Sequence, residues 1–418
     1  MGDVVIDGNT GANRLVFLDA NGKIPALDGS AVTQLNGTNF TSGPIPIARF
    51  DVGTSANKIV QLDGNAKLPA VSGGNLTNMV EVTQSSNDPT VSTNPSGGVG
   101  TEWHNTSTGE VYVLTDATAG ANVWMNVGEG SGDVEPWAFQ GESYGYSSGG
   151  YPYPSSPLNI IDKFSFTSNA NATDVGDITV ARSSTAGQSS STHGYTSASA
   201  ATNVVDKFSF TTDGNATDVG DLTSARNSPS GQSSTTHGYS SGGDDTIDKF
   251  SFTTDGNATD VGNLTVSRGE CAGQSSTTHG YCAGGGSTNV IDKFSFATDG
   301  NATDVGDLTD ARGIPGGQSS TTHGYCAGGI IGGPPFDSNY IDKFTFASDA
   351  NATDVGDLTG NRRYPTGQSS TTYGYTSGGF LYPNSINVID KFSFATDGNA
   401  TDVGDLTTAR QILAGQQY

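Results

Sequence analysis

Four histidines recur at equivalent positions of a repeated segment, and they are the residues best suited to bind a metal ion. They are His193, His237, His279 and His323, and two further copies of the segment have Tyr144 and Tyr373 there. Imidazoles arranged around a symmetric array could converge on one ion. Each histidine precedes glycine, however, and histidine enters the left-handed backbone region of tight turns more readily than most residues. Because tyrosine would be a poor substitute ligand, we expect a turn and no metal site.

A second candidate is the acidic run DGNATD at 299–304, which has a close relative in every other copy of the segment. Oxygen-bearing side chains alternate along this run, as they do in calcium loops. The bidentate glutamate of an EF-hand is missing, and a hairpin turn at Asp299-Gly300 explains the run without an ion. The run also contains Asn-Ala-Thr, formally a glycosylation acceptor, but the start Met1–Val5 lacks a signal-peptide pattern. We therefore expect neither calcium nor glycosylation here.

The basic residues of the repeat occupy only two positions. Of the 18 lysines and arginines in the sequence, 12 lie there. The lysines belong to an Ile-Asp-Lys-Phe motif and are Lys163, Lys207, Lys249, Lys293, Lys343 and Lys391. The arginines end each segment and are Arg182, Arg226, Arg268, Arg312, Arg362 and Arg410. We expect these arginines to link neighbouring strands or repeats through nearby acidic residues such as Asp177 and Asp221, rather than to bind carboxylates or phosphates.

No set of residues indicates catalysis. A catalytic site would break the symmetry of the repeat with polar groups, and here the polar groups recur in each copy. Three cysteines form no disulfide framework. Cys271 could face Cys282 across a hairpin, but small packed thiols are the expectation. We expect no catalytic residue, no cofactor and no resident metal.

The strongest departures from the repeat are apolar. Three of six connecting segments are long and rich in aromatic residues or proline: YPYPSSPLN (151–159), IIGGPPFDSNY (330–340) and FLYPNSIN (380–387). Aromatic residues on rigidly mounted loops are typical of binding sites. If the first, fifth and sixth repeats are neighbours in a ring, these loops form one patch, which suits a glycan or, alternatively, the protein's own β module or another subunit. The candidate binding residues are Tyr151, Tyr153, Ile330, Ile331, Phe336, Tyr340, Phe380, Leu381 and Tyr382.

The composition indicates which elements must position these groups. The 418 residues carry a formal charge of −24, with 33% hydrophobic residues and 59 glycines. Glycine, serine, threonine, asparagine and aspartate favour turns and strands over helices, so an all-β chain is expected. The strongly acidic balance argues against a nucleic-acid partner, which needs a basic surface. No apolar run is long enough to span a bilayer, so no membrane insertion is expected.

Six copies of the repeat define the fold. The Ile-Asp-Lys-Phe motif, with one Val for Ile, surrounds Asp162, Asp206, Asp248, Asp292, Asp342 and Asp390, at intervals of 42 to 50 residues. Each copy shows four short strands. In VIDKFSFA, Ile291, Lys293 and Ser295 alternate with Asp292, Phe294 and Phe296, as expected for a strand with one buried face. Four-stranded units of this period are typical of propeller blades. A trimeric β-solenoid is the main alternative.

The repeats resemble kelch-type blades. A glycine pair, such as Gly284-Gly285, precedes a strand with an aromatic residue, and a later strand ends in Leu-Thr-x-Ala-Arg. Phe and Val stand where kelch repeats usually carry Tyr and Trp, and the second copy has Ala198-Ser199 instead of the glycine pair. The chain ends in AGQQY (414–418), the start of another copy whose missing partner matches YGYSSGG (144–150). We therefore expect a six-bladed propeller over 133–418, closed by strands from both ends of the array, which leaves no unpaired edge.

The N-terminal third differs from the array. Residues 13–35 align with 57–79 at an offset of 44, and these segments are too poor in apolar residues to form a core alone. They resemble shaft segments of trimeric bacteriophage tail fibres. We expect a shaft-like oligomerisation and attachment region over 1–80, then a small β module and Gly-rich hinge over 81–132, with Trp103 and Trp124 anchoring the module.

The order of shaft, module and acidic propeller resembles that of structural fibre proteins from phages of marine cyanobacteria. The resemblance implies a homotrimeric virion component, assembled in the bacterial host cytoplasm and attached to other virion proteins through its N-terminal region. It implies a non-enzymatic fibre whose propeller presents loops to a host-surface glycan. Two alternatives remain open: a decoration or docking protein without a receptor role, and a polysaccharide-degrading tailspike.

Overall fold

The computed structural model describes residues 82–127, 139–333 and 336–418. The chain divides into two units, Met1–Glu81 and Val82–Tyr418, and all described residues belong to the second. The shaft-like region expected over 1–80 and the hinge at 128–132 lie outside the described residues. All regular secondary structure in the described part is β-strand, which confirms the all-β expectation. Within this part of the chain, no helix has the length and apolarity needed to cross a membrane.

A small sheet forms the start of the described chain. Its strands are β1 (Val82–Ser85), β2 (Glu102–Asn105), β3 (Val111–Asp116) and β4 (Val123–Asn126), in that order. β1 and β2 are parallel, and the other pairs are antiparallel. Trp124 is fully buried, and its ring centroid lies 5.8 Å from that of the partly buried Trp103 in an edge-on contact. Both tryptophans predicted as anchors therefore contribute to this core.

Six further sheets, I to VI, contain four strands each. Sheet I has β5 (Tyr144–Ser148), β6 (Ile160–Ser165), β7 (Thr173–Asp177) and β32 (Ala414–Gln417). Sheet II has β8 (Ala186–Ser189), β9 (His193–Ser199), β10 (Thr202–Ser209) and β11 (Thr217–Asp221). Sheet III has β12 (Ser230–Ser233), β13 (His237–Ser241), β14 (Asp244–Ser251) and β15 (Thr259–Arg268).

The remaining sheets follow the same plan. Sheet IV has β16 (Ala272–Ser275), β17 (His279–Ala283), β18 (Val290–Ser295) and β19 (Thr303–Asp307). Sheet V has β21 (Gly316–Ser319), β22 (His323–Ala327), β24 (Tyr340–Thr345) and β25 (Thr353–Asp357). Sheet VI has β26 (Thr366–Ser369), β27 (Tyr373–Ser377), β30 (Val388–Ser393) and β31 (Thr401–Asp405). Two-residue strands form the pairs β20 (Arg312–Gly313) with β23 (Ile330–Ile331), and β28 (Phe380–Leu381) with β29 (Asn384–Ser385).

Strands at the two ends of the array share sheet I. β32 pairs antiparallel with β5, with Ala414 opposite Ser148 and Gln417 opposite Gly145, as the matching sequences predict. The sheet boundaries, however, fall half a repeat away from the sequence unit. Sheet IV takes β16 and β17 from the end of one repeat and β18 and β19 from the start of the next. In sheets II to V, the hairpin that includes the histidine therefore begins the sheet.

The Ile-Asp-Lys-Phe strand is buried on both faces, so the prediction of one buried face is wrong. Ile291 packs in a cluster with Leu308 and with Phe344 of sheet V. On the opposite face, Phe294 packs with Tyr239 and Leu264 of sheet III. Since side chains alternate along a strand, one four-residue motif contacts both neighbouring sheets. The core therefore lies between the sheets.

The expected hairpin at Asp299-Gly300 is present between β18 and β19, but Gly300 does not have the positive φ that was expected of it. The connection between β18 and β19 covers residues 296–302. Ser295 Oγ accepts hydrogen bonds from the backbone N–H groups of Ala297 and Thr298 and starts this loop. Asn301 Oδ1 accepts a 3.0 Å hydrogen bond from Asn263 N in sheet III. The Asn-Ala-Thr motif thus joins neighbouring sheets.

The first strands of neighbouring sheets approach so closely that only glycine fits at their second position. A Cβ added to Gly231 of β12 would lie 1.9 Å from the carbonyl oxygen of Gly187 in β8. The same contact links successive glycines: Gly187 meets Gly415, Gly273 meets Gly231, Gly317 meets Gly273, Gly367 meets Gly317, and Gly415 meets Gly367. These glycine contacts link the six sheets one after another and return to the sheet from which they start.

A buried ion pair joins each sheet to the next. Asp292 Oδ2 of β18 lies 3.1 Å from Arg268 Nη2 of sheet III, and Asp292 Oδ1 accepts a 2.6 Å hydrogen bond from Thr265 Oγ1. All six pairs have side chains at most 3% exposed: Arg182–Asp206, Arg226–Asp248, Arg268–Asp292, Arg312–Asp342, Arg362–Asp390 and Arg410–Asp162. The arginines therefore do connect repeats, but the expected partners Asp177 and Asp221 are wrong. The actual partner is the aspartate of the Ile-Asp-Lys-Phe motif in the next sheet.

Removing one member of a buried pair should be far more costly than removing an exposed one. Asp292→Ala leaves Arg268 charged and buried without a counter-charge, so we expect a loss of about 3–5 kcal/mol in unfolding free energy. Asp349→Ala removes the exposed partner of Lys293 and should cost less than about 1 kcal/mol. Chemical denaturation of both variants measures the difference. Equal losses in the two variants would contradict this account.

Candidate functional site

The four histidines occupy the first positions of β9, β13, β17 and β22. None has a left-handed backbone, so the turn explanation for them is wrong. Each ring Nδ1 lies 2.8 Å from the Oγ1 of the preceding threonine, as in His279 with Thr278. Across residues 82–127, 139–333 and 336–418, no three His, Cys, Asp or Glu side chains are close enough to hold a metal ion together.

Electrostatics explain why either histidine or tyrosine is found at this position. Burial and the nearby ammonium group of Lys293 lower the pKa of His279, and corresponding lysines act on the other three histidines. In sheets I and VI, Lys163 and Lys391 lie over the rings of Tyr144 and Tyr373, with Nζ 4.4 and 4.9 Å from the centroids. A neutral imidazole and a phenol ring are both acceptable beside a lysine, whereas an imidazolium is not.

The acidic hairpins are engaged in contacts between sheets. Asp299 Oδ1 lies 2.5 Å from Lys249 Nζ of the preceding sheet, and Asp304 Oδ1 accepts a hydrogen bond from Gly306 N. Lys163, Lys207, Lys293 and Lys343 pair in the same way with an aspartate of the next sheet. Lys391 instead donates to Asn169 Oδ1 at 2.8 Å. These side chains therefore help to hold neighbouring sheets together.

The cysteine expectation is wrong for two of the three residues. Cys271 and Cys282 form a disulfide across the hairpin of sheet IV, with Cα atoms 5.7 Å apart. The spacing brings them together because Cys271 immediately precedes β16, and Cys282 lies opposite Gly273 in the β16–β17 pair. Cys326 is free and buried, and desolvation raises the pKa of its thiol to about 12.

Aromatic side chains from two of the long loops are in contact. The ring of Tyr153 lies 6.1 Å from that of Tyr151 and 5.6 Å from that of Phe380, both edge-on. Phe380 in turn lies 6.4 Å from Tyr382. Ser385 Oγ accepts a 3.1 Å hydrogen bond from Tyr153 N, which fixes one loop to the other. The sequence argument that loops of the first and sixth repeats are neighbours therefore agrees with these contacts.

An arginine that the sequence analysis did not select completes this group. The guanidinium carbon of Arg363 lies 4.9 Å from the Phe380 ring centroid and 5.8 Å from that of Tyr364. Its Nε lies 3.6 Å from Asp337 Oδ1, in the loop of sheet V. Burial raises the pKa of Asp337, although the charge of Arg363 opposes this shift. We refer to Tyr151, Tyr153, Phe380, Tyr382 and Arg363 as the aromatic cluster.

Exposure differs strongly among the candidate residues. Tyr382 is 78% exposed and Tyr153 50%, whereas Phe380 is buried beneath them at 6%. Leu381 is exposed beside the cluster at 46%. The most exposed rings of the cluster are therefore those of Tyr153 and Tyr382, whereas Phe380 is buried.

The remaining candidates of the third loop do not join the aromatic cluster directly. Ile330 and Ile331 form β23, which pairs with Arg312–Gly313 of β20. Phe336 is 55% exposed, and its backbone oxygen accepts a hydrogen bond from Ile331 N. Tyr340 is the first residue of β24 and lies opposite Asp357, so it belongs to the sheet rather than to the loop. This loop reaches the cluster through Asp337 and its contact with Arg363.

A signal for Arg363 was present in the sequence. Within 133–418 it is the one basic residue outside the two repeated lysine and arginine positions. Asp337 and Tyr364 carried no comparable signal, because their importance depends on their distance from Arg363.

No protein-family model matches the chain, and comparison with curated proteins finds no significantly similar relative. The site must therefore be interpreted from its own geometry.

The histidines should make stability depend on pH. Because their pKa values are lower in the folded chain than the unfolded value of about 6.5, the unfolded chain binds more protons as pH falls below that value. The free energy of unfolding should therefore be highest above about pH 6.5 and decline below it. Urea unfolding between pH 8 and 5 measures this slope.

A matched variant isolates the contribution of the histidines. Replacing His193, His237, His279 and His323 by tyrosine, as sheets I and VI already have, should flatten the decline below about pH 6.5. Burial raises the carboxyl pKa values of Glu270 and Asp337, and these groups act in the opposite direction in both proteins, so they cancel in the comparison. Identical slopes for the variant and the parent would show that the histidines are not responsible.

Proposed function

We propose that sheets I to VI are the blades of a closed, kelch-like six-bladed β-propeller. The pairing of β32 with β5 and the glycine contacts that return to their starting sheet support this arrangement. A further series of backbone hydrogen bonds follows the same order, from one N–H to the preceding carbonyl. It runs Ser184 to Ile412, Ser228 to Ser184, Glu270 to Ser228, Ile314 to Glu270, Tyr364 to Ile314, and Ile412 to Tyr364. These six hydrogen bonds begin and end at the same residue, as expected if the six sheets form a closed ring.

Distances between equivalent exposed positions test the closed ring. Spin labels at Asp174, Asp218, Asp304 and Asp402, introduced as pairs through cysteine, mark sheets I, II, IV and VI. In a ring, the 174–402 distance should resemble the 174–218 distance, and the 174–304 distance should be the longest. In a linear array of sheets, the 174–402 distance would be the longest, and the proposal would fail.

We further propose that the protein is a non-enzymatic phage fibre protein whose aromatic cluster binds a glycan of the host surface. The carrying observation is that loops of sheets I and VI meet at the cluster, and that the loop of sheet V reaches it through Asp337. Exposed tyrosine rings offer flat surfaces for sugar rings, and an arginine beside them offers hydrogen-bond donors. The formal charge of −24 favours neutral sugars over phosphate-rich ones.

The remainder of this proposal follows the resemblance to fibre proteins of cyanobacterial phages. The N-terminal region 1–80 would form a trimeric shaft that attaches to other virion proteins, with assembly in the host cytoplasm. In this arrangement the described array is the part that meets the host. A decoration protein without a receptor role and a polysaccharide-degrading tailspike are the competing functions.

Two tyrosine variants test the glycan proposal. Tyr382→Ala removes a ring that is 78% exposed in the cluster, while Tyr373→Ala removes one that is 38% exposed elsewhere. Binding of the full-length protein to lipopolysaccharide purified from cyanobacterial cells should weaken about tenfold in the first variant, equivalent to about 1.4 kcal/mol, and remain unchanged in the second. Thermal unfolding of both variants confirms that the fold is retained.

The same assay distinguishes the alternatives. Equal binding by both variants would show that the aromatic cluster does not bind the glycan. If the parent protein did not bind lipopolysaccharide at all, the decoration role would be favoured. Release of sugars from the lipopolysaccharide would favour the tailspike.

A further inference from the structure

A cavity of about 100 Å³ lies where the first strands of the six sheets begin. The six residues of the hydrogen-bond series line it: Ser184, Ser228, Glu270, Ile314, Tyr364 and Ile412. All six have a left-handed backbone, with φ between 52° and 66°. We call them the mouth residues. Phe139 lines the same cavity, and its backbone oxygen accepts a hydrogen bond from Gln417 Nε2.

The mouth residues break the symmetry of the repeat in an ordered way. Three successive positions are polar, Ser184, Ser228 and Glu270, and the other three are the larger Ile314, Tyr364 and Ile412. Neighbouring sheets contribute them in order, so the three polar residues are consecutive in the series and Ile314, Tyr364 and Ile412 follow them. Such a division suits a ligand with one polar end and a short apolar stem.

The carboxylate of Glu270 has no partner among the described residues. No hydrogen bond or ion pair reaches it, although its side chain is partly buried. Desolvation raises its pKa, and its charge also raises the pKa of Tyr364. Many aspartates of the array also lack a basic partner, but Glu270 is the carboxylate that lines this cavity. Unpaired charged groups in concave sites are typical of binding sites.

A second unpartnered polar group faces the same cavity. Thr185, next to the mouth residue Ser184, is 7% exposed, and its hydroxyl oxygen makes no hydrogen bond to any described residue. A buried hydroxyl without a partner is unfavourable, so an occupant of the cavity that donates or accepts a hydrogen bond would be stabilised. Glu270 and Thr185 thus both favour a polar occupant.

We propose that this cavity binds a primary alkylammonium group, with the ammonium at Glu270 and the stem against Ile314 and Ile412. A cavity of about 100 Å³ has the room of about three waters, which suits a short chain rather than a sugar ring. One carboxylate is too few oxygen ligands for calcium or magnesium, and an anion would be repelled. The ammonium can come from a lysine side chain of another protein or from a small free amine. This second site does not depend on glycan binding.

Calorimetric titration of the full-length protein with n-butylammonium tests the proposal. We expect saturable binding that is at least tenfold weaker for n-butanol, which has the same length but no charge. Glu270→Gln should weaken n-butylammonium binding at least tenfold without lowering thermal stability, because it removes an unpaired charge. Asp310→Asn removes an exposed carboxylate on a connection after sheet IV and should leave binding unchanged. Ile412→Trp, which fills the cavity and retains Glu270, should also abolish binding.

Each possible result decides the question. Equal affinity for n-butanol, equal binding by Glu270→Gln, or no saturable binding by the parent protein would overturn the proposal. If Glu270→Gln does not fold, Ile412→Trp carries the test. Tighter binding of Nα-acetyl-lysine methylamide than of n-butylammonium identifies a protein lysine as the source, and the reverse identifies a free amine.

Discussion

The buried pair between an arginine and the aspartate of the next sheet is the contact on which the rest of the array depends. Burying two charges is costly, and the cost is offset only if both groups are fully engaged in good geometry. Asp248 meets this requirement, because it receives hydrogen bonds from the backbone N–H and hydroxyl of Thr223 and from Arg226. A sheet displaced by one residue would leave both charges buried and unpaired. The pair therefore fixes the position of each sheet on its neighbour.

This constraint explains why so few polar groups of the repeat remain for function. The aspartate and phenylalanine of the Ile-Asp-Lys-Phe strand face the preceding sheet, whereas the isoleucine and lysine face the following one. The glutamine of the first strand also crosses between sheets, as Gln274 Nε2 donates to Tyr325 O at 2.9 Å. Residues that depart from the repeat do not take part in these contacts between sheets. The aromatic loops, Arg363 and Glu270 are the main examples.

The aromatic cluster and the cavity lie at the same end of the sheets. Tyr151 pairs through its backbone with Gln411, which precedes the mouth residue Ile412, and Arg363 of the cluster precedes the mouth residue Tyr364. Residues 140 and 141 bond at the opposite end of the first strands. There, Gln140 Nε2 donates to Ser319 O, and Gly141 N donates to Ser369 O. Gln140 and Gly141 thus contact the array at the end remote from the aromatic loops.

Sequence periodicity by itself determined the all-β class, the number of sheets and the pairing of AGQQ with YGYSS, because repeated local patterns dictate repeated local structure. The ring expected from the repeats also predicted that Tyr153 and Phe380 belong to neighbouring loops. Only the tertiary structure decided what each repeated side chain contacts. Asp292 pairs with Arg268 because neighbouring sheets pack face to face, and alternation along one strand does not reveal a second buried face. Cys271 bonds to Cys282 because the pairing of β16 with β17 brings the two residues together within one sheet. Whether the Glu270 carboxylate has a counter-charge also depends on distances between sheets. The spacing of residues along the chain does not reveal those distances.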